Sequence, residues 1–559
     1  MSVGLVIKFV GTIMDLVLPW ILSYMIDDIV PQKNTVLILL WGGAMVLSAA
    51  IALVTNIVAN RMASRVAQLT TVSLRHDLFA KISSLSSRQI DAYTIPSLES
   101  RLTSDTYNLH QFVGMMQRLG VRAPILLIGG ILVTLAMEPS LALVLLAILP
   151  LIGVLVAAVS RRGVPLYGRL QRGVDAMVRT VRENISGIRV IKALSKADYE
   201  KERFSDVNAE VVRREKKAGI VMALTNPMMN LFLNLGLTAV IFIGAWRVNA
   251  GLTQPGKILA FLTYFTIILN AMLSITRMFV MYSRGSASAG RIAEVLDTPA
   301  DLPVCEAGDT PAENTAHIAF DRVSFSYHGK APNIRDVSFR LGRGQTLGII
   351  GATGSGKSTL ISLLMRMYDA DSGDIRIGGR TLASIPPGEL YTMFGVVFQN
   401  DVLFADTVAA NIDFGRGLSR DQLEKAADCA QAREFIDSLP DGFETMLAQK
   451  AANLSGGQRQ RLLIARALAA DPDILILDDS SSALDYRTDS LLRQALARHY
   501  PHTTTVIVAQ RVSSIRHADH ILVMEDGREI GCGTHEQLMQ TCGAYREISE
   551  SQMGGGELA

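Results

Sequence analysis

Cysteine is scarce in this chain and gives no sign of a metal site or a disulfide framework. The sequence has four cysteines among 559 residues, and all of them lie in its C-terminal half: Cys305, Cys429, Cys532 and Cys542. Their spacing matches no metal-ligand pattern. We therefore expect four free thiols in a reducing compartment.

Charge is also sparse. Charged residues make up 19% of the chain, against about 25% in an ordinary soluble domain, and the net charge is only +2. A balance so close to neutral gives no basis for a nucleic-acid partner. Hydrophobic residues reach 49%, which predicts that a large part of the chain lies in membrane lipid. The length also exceeds that of a single soluble core, so we expect at least two domains.

The N-terminal stretch lacks the basic segment and the small-residue cleavage site of a signal peptide, and Lys8 and Asp15 lie inside it. We therefore expect a retained helix. It is the first of six apolar stretches, which fall near residues 4–29, 36–59, 111–137, 139–160, 219–248 and 257–282. Each is near or above the ~20 residues that a helix needs to cross a bilayer. The pattern predicts an all-α six-helix transmembrane domain.

Two long segments, after the second and the fourth apolar stretch, hold most of the positive charge of this half. The positive-inside bias places them, and both chain ends, in the cytoplasm. They are poor in glycine and proline, so we expect helices that continue beyond the membrane. Their tips, near residues 91–97 and 194–200, are candidates for contact with a cytoplasmic domain. The alternative is a disordered basic loop that only sets the topology.

The second half of the chain changes to an α/β pattern. Residues 298–316 are polar and contain proline, which is typical of a linker. Strands are predicted where apolar residues alternate or form short runs, at 318–327, 347–350, 474–477 and 504–508. We therefore expect a transmembrane domain over 1–297, the linker, an α/β domain over 317–552 and a flexible tail over 553–559.

A phosphate-binding loop follows the strand predicted at 347–350. Residues 351–358 read GATGSGKS, which fits the G-x-x-x-x-G-K-[ST] pattern, and a helical pattern follows as this motif requires. Its glycines let backbone N–H groups converge on phosphate oxygens at a helix N-terminus. Lys357 would neutralise the β- and γ-phosphates, and the Ser358 hydroxyl would bind Mg²⁺. The residues offered to the nucleotide are Gly351, Thr353, Gly354, Ser355, Gly356, Lys357, Ser358 and Thr359.

Asp478 ends the apolar run that begins at Ile474. A carboxylate at the carboxyl end of a buried strand can face Mg²⁺ beside the phosphate loop, because the ends of parallel strands share one edge of a sheet. The alternative is a surface acid that closes the strand. Together with the phosphate loop, Asp478 predicts a nucleoside triphosphatase.

A second anion site is predicted between these two elements, in the run Leu454, Ser455, Gly456, Gly457 and Gln458. The glycines expose backbone amides, and Ser455 adds a hydroxyl, at the start of a helical pattern. With this LSGGQ motif, the chain resembles the ATP-binding-cassette transporters, specifically the exporters that fuse six helices to one α/β P-loop nucleotide-binding domain. The resemblance implies ATP and Mg²⁺ as cofactors. It also implies two domains paired head to tail, with each ATP between one phosphate loop and the partner's signature motif.

The same resemblance assigns roles outside the two motifs. Tyr327 resembles the aromatic residue that stacks on adenine, and Gln399 resembles the glutamine that contacts Mg²⁺ and the attacking water. Asp485, in the loop that begins at Ser482, belongs to the segment that crosses the dimer interface. The two cytoplasmic tips resemble coupling helices. A strand-core aromatic for Tyr327 and an exposed polar residue for Gln399 are the alternatives.

The chain departs from the family pattern at the catalytic positions. Asp479 stands where the family has glutamate, and Gln510 stands where it has histidine; Gln449 also replaces an acid before the signature. The aspartate carboxylate retreats by ~1.5 Å, roughly one carbon–carbon bond, and a ~1 Å misplacement costs about 10²-fold in rate. Gln510 can donate a hydrogen bond but cannot become cationic. We therefore predict a site that binds ATP and Mg²⁺ but hydrolyses slowly. The alternative is an active homodimer that tolerates both variants.

The intact signature motif then predicts a heterodimer, in which a second half-transporter with glutamate and histidine completes one competent site. The expected function is export across the cell membrane, with membrane lipid around the helices and a small amphipathic compound as substrate. Methionines and asparagines in the fifth and sixth stretches are consistent with a multidrug-type cavity or with plain helix packing. A lipid or peptide exporter and a nucleotide-gated channel or regulator are the alternatives.

Overall fold

The computed structural model describes residues 2–305, 316–327, 329, 331–480 and 484–553. Parts of the predicted linker and tail, and Ser482 of the predicted interface loop, lie outside these described residues. The chain divides into two compact units. The first consists of Met1–Ser83 and Ile95–Thr298, and the second of Ser84–Thr94 and Pro299–Ala559.

The N-terminal half is helical. Six helical stretches in its described residues are long and apolar enough to cross a membrane, which confirms the six-helix prediction. Its helices are α1 (Ser2–Tyr24), α2 (Thr35–Ser83), α3 (Ser87–Tyr93), α4 (Ile95–Ser100), α5 (Thr106–Met137), α6 (Pro139–Ser186), α7 (Ile188–Ala193), α8 (Ala197–Ala223), α9 (Thr225–Asn249) and α10 (Pro255–Leu296). All of them belong to the first unit except α3, which lies in the second.

Several of these helices are much longer than a bilayer is thick. Helix α2 has 49 residues and α6 has 48. At 1.5 Å per residue each is more than 70 Å long, roughly twice the ~30 Å hydrocarbon core. The basic segments are therefore helical continuations, as predicted, and the alternative of a disordered loop is wrong for them.

Small residues allow the membrane helices to pack closely. A Cβ atom built on Gly130 would lie 2.7 Å from the Ile268 side chain, and one on Gly236 would lie 2.2 Å from the Phe265 ring. Close backbone approach is the main source of helix association in lipid, where the hydrophobic effect gives no drive. The buried side chains of this core include Leu16, Leu145, Tyr264, Phe265 and Ile268.

The second unit contains two sheets. Its strands are β1 (Ile318–Phe325), β2 (Ile334–Leu341), β3 (Thr346–Gly351), β4 (Ser372–Ile377), β5 (Arg380–Thr381), β6 (Phe394–Val397), β7 (Ile474–Asp478), β8 (Thr504–Val508), β9 (His520–Glu525) and β10 (Arg528–Gly533). One sheet is antiparallel, in the order β2-β1-β4-β5, and the other has the order β10-β9-β3-β8-β7-β6. The strands predicted from the apolar runs are all present, and Tyr327 lies just beyond β1.

Helices flank these sheets, and the six-stranded sheet is buried on both faces. The helices are α11 (Lys357–Leu364), α12 (Pro387–Leu390), α13 (Val408–Asp413), α14 (Arg420–Cys429), α15 (Arg433–Asp437), α16 (Gly456–Leu468), α17 (Tyr486–His499), α18 (His535–Thr541) and α19 (Gly543–Met553). Along β7, Ile474 and Ile476 enter one core while Leu475 and Leu477 enter the other. Burial on both faces explains the unbroken apolar run. Strands β3, β8, β7 and β6 are parallel, so their carboxyl ends meet at one edge.

Hydrogen bonds hold the short helix α3 within the second unit. Ser86, which caps α3, donates to Asp301 at 2.8 Å, and Gln89 donates to the Pro299 carbonyl at 2.6 Å. The Tyr368 hydroxyl donates to Asp91 Oδ2 at 2.6 Å. Burial and the neighbouring Asp91 carboxylate raise the pKa of Tyr368, so the phenol stays protonated and remains a donor. The first tip therefore contacts the α/β unit through residues 84–94.

Removing the Tyr368 hydroxyl should loosen α3 without unfolding the α/β unit. A hydrogen bond of this kind contributes about 1 kcal/mol. In Tyr368→Phe, we expect the backbone amides of α3 to exchange hydrogen roughly fivefold faster, as measured by hydrogen–deuterium exchange. Tyr391→Phe, which removes a phenol from an exposed position, serves as the control. Unchanged exchange in α3, or the same increase in the control, would contradict this role of Tyr368.

Candidate nucleotide-binding site

The loop between β3 and α11 has a backbone that requires glycine. Gly354 and Gly356 have φ angles of +85° and +99°, in the region that other residues rarely adopt. A Cβ atom on Gly356 would also lie 2.6 Å from Ile334 Cδ1. The loop ends at Lys357, the first residue of α11, so free backbone N–H groups surround the helix N-terminus. Such a terminus binds phosphate groups well.

The loop encloses Lys357. Its ammonium group donates to the carbonyl oxygens of Gly351 at 2.9 Å and Ala352 at 2.8 Å. Burial lowers the pKa of Lys357, and the nearby carboxylates of Asp478 and Asp479 oppose that shift. The lysine therefore supplies a positive charge at the phosphate loop, beside two carboxylates.

Asp478 lies at the end of β7 and is only 5% exposed. Burial raises its pKa, and a hydrogen bond from Ser358 acts in the opposite direction. A hydroxyl and a carboxylate are the hard oxygen ligands that Mg²⁺ takes, with water and phosphate completing its shell. Among the described residues no group of three or more metal-ligating side chains occurs. The pair of Ser358 and Asp478 therefore fits Mg²⁺ brought with a nucleotide.

Asp479 adopts a backbone conformation with φ of +53°, and its N–H donates to the Val508 carbonyl at 3.0 Å. In this position Oδ2 accepts a hydrogen bond from Gln510 Nε2 at 2.8 Å and a weaker one from Gln399 Nε2 at 3.5 Å. Burial raises the pKa of Asp479, and the two amide donors partly offset the rise. The three predicted catalytic residues are therefore brought together.

Two further residues shape this site and were not found from the sequence. Gln552, on α19, donates to the Gln510 carbonyl at 2.8 Å and accepts from the Val512 N–H at 2.7 Å. It thus fixes the loop that carries Gln510. The Asn333 side chain accepts from the Tyr327 N–H at 3.1 Å. Neither residue belongs to a motif: Gln552 is a single amide about forty residues from its partners, and Asn333 is a single amide six residues after Tyr327.

These residues line a cavity of about 580 Å³ that extends from Asn333 past the phosphate loop to Gln552. Beneath the loop, Ser355 is 3% exposed, and its hydroxyl has no hydrogen-bond partner in the part of the chain that the structure describes. A buried, unpaired donor beside a ring of backbone amides fits a phosphate oxygen. The donor set, the positive charge and the cavity volume therefore suit a nucleoside triphosphate with Mg²⁺.

Tyr327 lies at the edge of this region. Its hydroxyl donates to Thr359 Oγ1 at 3.4 Å, and its ring packs edge-on against Phe325 and Tyr368 with centroids 4.9 Å and 5.1 Å away. The residue is 37% exposed, so part of the ring is open to a ligand. Its predicted role, stacking on adenine, stays a prediction.

The signature residues lie elsewhere. Ser455 caps α16, accepting from the Gln458 N–H at 3.3 Å, while Gln458 Oε1 accepts from the Ser455 N–H at 2.9 Å. Ser455 and Gly456 are exposed, and a Cβ atom on Gly456 would meet nothing. None of the residues from Ser455 to Gln458, including Gly457, lines the cavity described above. The second predicted anion site therefore faces solvent in the single chain.

Asp485 is also outside the cavity. It caps α17, accepting from the Thr488 N–H at 2.9 Å and from the Thr488 hydroxyl at 2.8 Å. These local bonds lower the pKa of Asp485. The structure thus brings the phosphate loop together with Asp478, Asp479, Gln399 and Gln510, and it leaves Asp485 and the signature motif apart from them.

Six membrane-crossing helices and a phosphate-loop α/β unit on one chain define a membrane-transport ATPase. Residues 1–272 match the family described as "ABC transporter transmembrane region", and residues 334–482 match the one described as "ABC transporter". The chain belongs to the ABC transporter family. It is an exporter-type half-transporter driven by ATP, and membership implies ATP binding, with Mg²⁺ as is usual for these ATPases.

Individual relatives cover nearly the whole chain. It is 34% identical to the ABC transporter ATP-binding protein YfiB of Bacillus subtilis, over 99% of this chain and 96% of YfiB. It is 32% identical to the fatty acid ABC transporter ATP-binding/permease protein of Mycobacterium bovis, over 88% of this chain and 78% of the relative. A solved bacterial Atm1-family ABC exporter with ATP bound superposes with a TM-score of 0.82 at 25% identity, covering 98% of this chain and 97% of the other.

Replacing Ser355 by alanine should separate folding from nucleotide binding. An unpaired buried hydroxyl costs about 1–3 kcal/mol, so Ser355→Ala should leave the apparent melting temperature of the nucleotide-free protein unchanged or higher. Adding ATP and Mg²⁺ should raise the melting temperature of this variant less than that of the unaltered chain, because a hydrogen-bond donor to phosphate is lost. Thermal unfolding with and without nucleotide measures both effects. Ser362→Ala, whose hydroxyl donates to the Ser358 carbonyl, is the control; a full nucleotide effect in Ser355→Ala would contradict the assignment.

Proposed function

We propose that this chain is the slowly hydrolysing subunit of a heterodimeric ABC exporter in the cell membrane. The observation that carries the proposal is the 2.8 Å hydrogen bond from the Gln510 amide to Asp479 Oδ2. A general base must face the attacking water and accept its proton. Here the shortened carboxylate instead accepts a hydrogen bond from an amide that cannot act as a general acid or base.

Asp479 and Gln510 should leave nucleotide binding intact but slow ATP hydrolysis. The groups that would hold the nucleotide and Mg²⁺, namely Lys357, Ser358 and Asp478, are in place. Bound Mg²⁺ would neutralise charge on the β- and γ-phosphates. The carboxylate of Asp479, the proposed general base, is in contrast ~1.5 Å further back than a glutamate carboxylate would be. A displacement of that size lowers the rate of hydrolysis about 10²-fold. ATP should therefore bind at this site normally and remain bound for a long time before it is hydrolysed.

The signature motif supplies the reason for a partner. Ser455 and Gly456 are exposed and intact, so they can close a phosphate loop on another chain. A partner with glutamate and histidine at the two catalytic positions would form one competent site with this motif. Closure of the paired domains, transmitted through segments such as residues 84–94, would then drive alternating access of the membrane helices. The competing possibility is an active homodimer.

The transported compound is proposed to be a small amphipathic molecule. The methionines noted above give little support of their own, because they pack between helices. Met222 lies 2.8 Å from a Cβ built on Gly163, and Met272 lies 3.4 Å from one built on Gly153. The similarity to a protein named as a fatty acid transporter favours a lipid-like compound as the second candidate.

Restoring the family residues should speed hydrolysis. Asp479→Glu combined with Gln510→His should raise steady-state ATP hydrolysis of the purified, lipid-embedded chain by about tenfold to 10²-fold, because the base then reaches the water. Adding Ser455→Arg should return the rate to its starting value, since the arginine blocks the signature site of the paired chain. Phosphate release measures all three proteins.

A matched control changes the same residue types away from the site. Asp526→Glu with Gln540→His alters an aspartate that also has a positive φ angle, 45°, and an exposed glutamine. It should leave hydrolysis unchanged. Brisk hydrolysis by the unaltered chain, or no gain in the double variant, would contradict the slow-site proposal. A high rate in the presence of Ser455→Arg would contradict the shared-site arrangement.

A further inference from the structure

Charged side chains are divided unevenly between the two ends of the six predicted membrane stretches. At the end opposite the cytoplasm, acids and bases balance: Asp27, Asp28, Arg247 and Lys257. The cytoplasmic halves of the stretches hold four cations and a single carboxylate: Lys8, Arg118, Arg122, Arg277 and Asp15. Ionisable groups inside a membrane are costly and usually mark a functional site.

The cations of α1 and α5 have few carboxylates near them. Lys8 is 3% exposed, yet its ammonium donates to two neutral amides, Asn56 Oδ1 at 2.8 Å and Asn60 Oδ1 at 3.0 Å. Arg122 forms an ion pair with Asp15 at 3.1 Å. Lys8 interacts electrostatically with Asp15 as well, and with the positive charges of Arg118 and Arg122. The single carboxylate of Asp15 is therefore shared by Lys8, Arg118 and Arg122.

Two buried hydrogen-bond donors on α5 also lack an acceptor in the described part of the chain. Arg122 Nε and Gln117 Nε2 are buried, and neither has a partner among the described residues. Gln117 is 8% exposed and lies on α5 next to Arg118, whose Nε donates to the Gly114 carbonyl at 3.0 Å. Gln117 and Arg118 are consecutive, so their side chains leave α5 about 100° apart, on adjoining faces. Surplus donors with surplus positive charge suit an anionic oxygen group.

An apolar, adaptable side chain lies beside the Lys8 end of the cluster. Met62 lies 3.3 Å from a Cβ built on Gly4, one helical turn before Lys8. Thioether side chains adjust to hydrocarbon chains of different shape. The region therefore places a cationic, donor-rich centre beside an apolar side chain near the cytoplasmic ends of the stretches.

We propose that Lys8, Arg118 and Arg122 bind the anionic head of an amphiphile. The inference rests on the proposed export of amphipathic compounds and narrows it to anions, since a cationic amphiphile would be repelled. A carboxylate or a phosphate ester satisfies the same donors. Bidentate guanidinium contacts suit either group.

Three fluorescent probes with one acyl chain and different heads test the proposal. The heads are a carboxylate, a neutral amide and an ammonium group, compared at about pH 8, where the first and last are charged. In phosphatidylcholine nanodiscs without nucleotide, the carboxylate probe should bind tightest and the ammonium probe weakest. Arg118→Gln should weaken carboxylate binding about tenfold, the loss of one charge-assisted contact, and should barely change amide binding. Arg161→Gln, at an exposed arginine outside the cluster, should change neither.

A second variant covers the case in which Arg118→Gln does not fold. Asp15→Asn removes the competing carboxylate, so it should tighten binding of the carboxylate probe. Equal binding of the three probes, a preference for the ammonium head, or the same loss in Arg161→Gln would overturn the anion site. ATP-dependent uptake into inverted vesicles that carry the Asp479→Glu, Gln510→His variant, which should hydrolyse ATP as a self-pair, separates this inference from the proposed function. Carboxylate binding with hydrolysis but without uptake upholds the site and refutes export, while uptake of the ammonium probe alone upholds export and refutes the site.

Discussion

The 2.8 Å bond between the Gln510 amide and Asp479 Oδ2 is solvent-exposed and lies where the carboxyl ends of β7 and β8 meet. It engages one oxygen of the carboxylate that we propose as the general base. Gln552 holds the Gln510 backbone from α19, so the bond is supported rather than accidental. We propose that this chain's site holds ATP while hydrolysis takes place chiefly at the partner's site. This proposal depends on the contact between Gln510 and Asp479.

The parallel part of the sheet explains why the site forms at all. Strands β3, β8 and β7 end at one edge, and this edge carries the phosphate loop, Gln510 and the two aspartates. The signature motif instead caps α16 and faces solvent. One chain therefore offers two predicted anion-binding surfaces that it does not combine, which is the geometric basis for the dimer that we propose. The cationic cluster in the membrane unit adds a separate expectation about which amphiphiles such a dimer would accept.

Much of this structure could be predicted from the sequence because its signals are local. Long apolar stretches gave the six membrane helices, and short runs such as 474–477 gave the buried strands. The motifs placed Lys357, Ser358 and Asp478 near one another. Long-range contacts could not be predicted in this way. Tyr368 and Asp91 are far apart in the chain, as are Gln552 and Gln510, and no pattern links them. The sequence predicted that a tip near residues 91–97 contacts a cytoplasmic domain, but the residues that make this contact became visible only in the structure.

The central claim is that this chain's own site keeps ATP intact. It is tested most directly by loading the purified, lipid-embedded chain with radiolabelled ATP and Mg²⁺, removing free nucleotide, and identifying the label that stays bound over time. The slow site predicts that the label is recovered mainly as ATP, both before and after a partner half-transporter is added. Rapid conversion to ADP on the chain alone would contradict it.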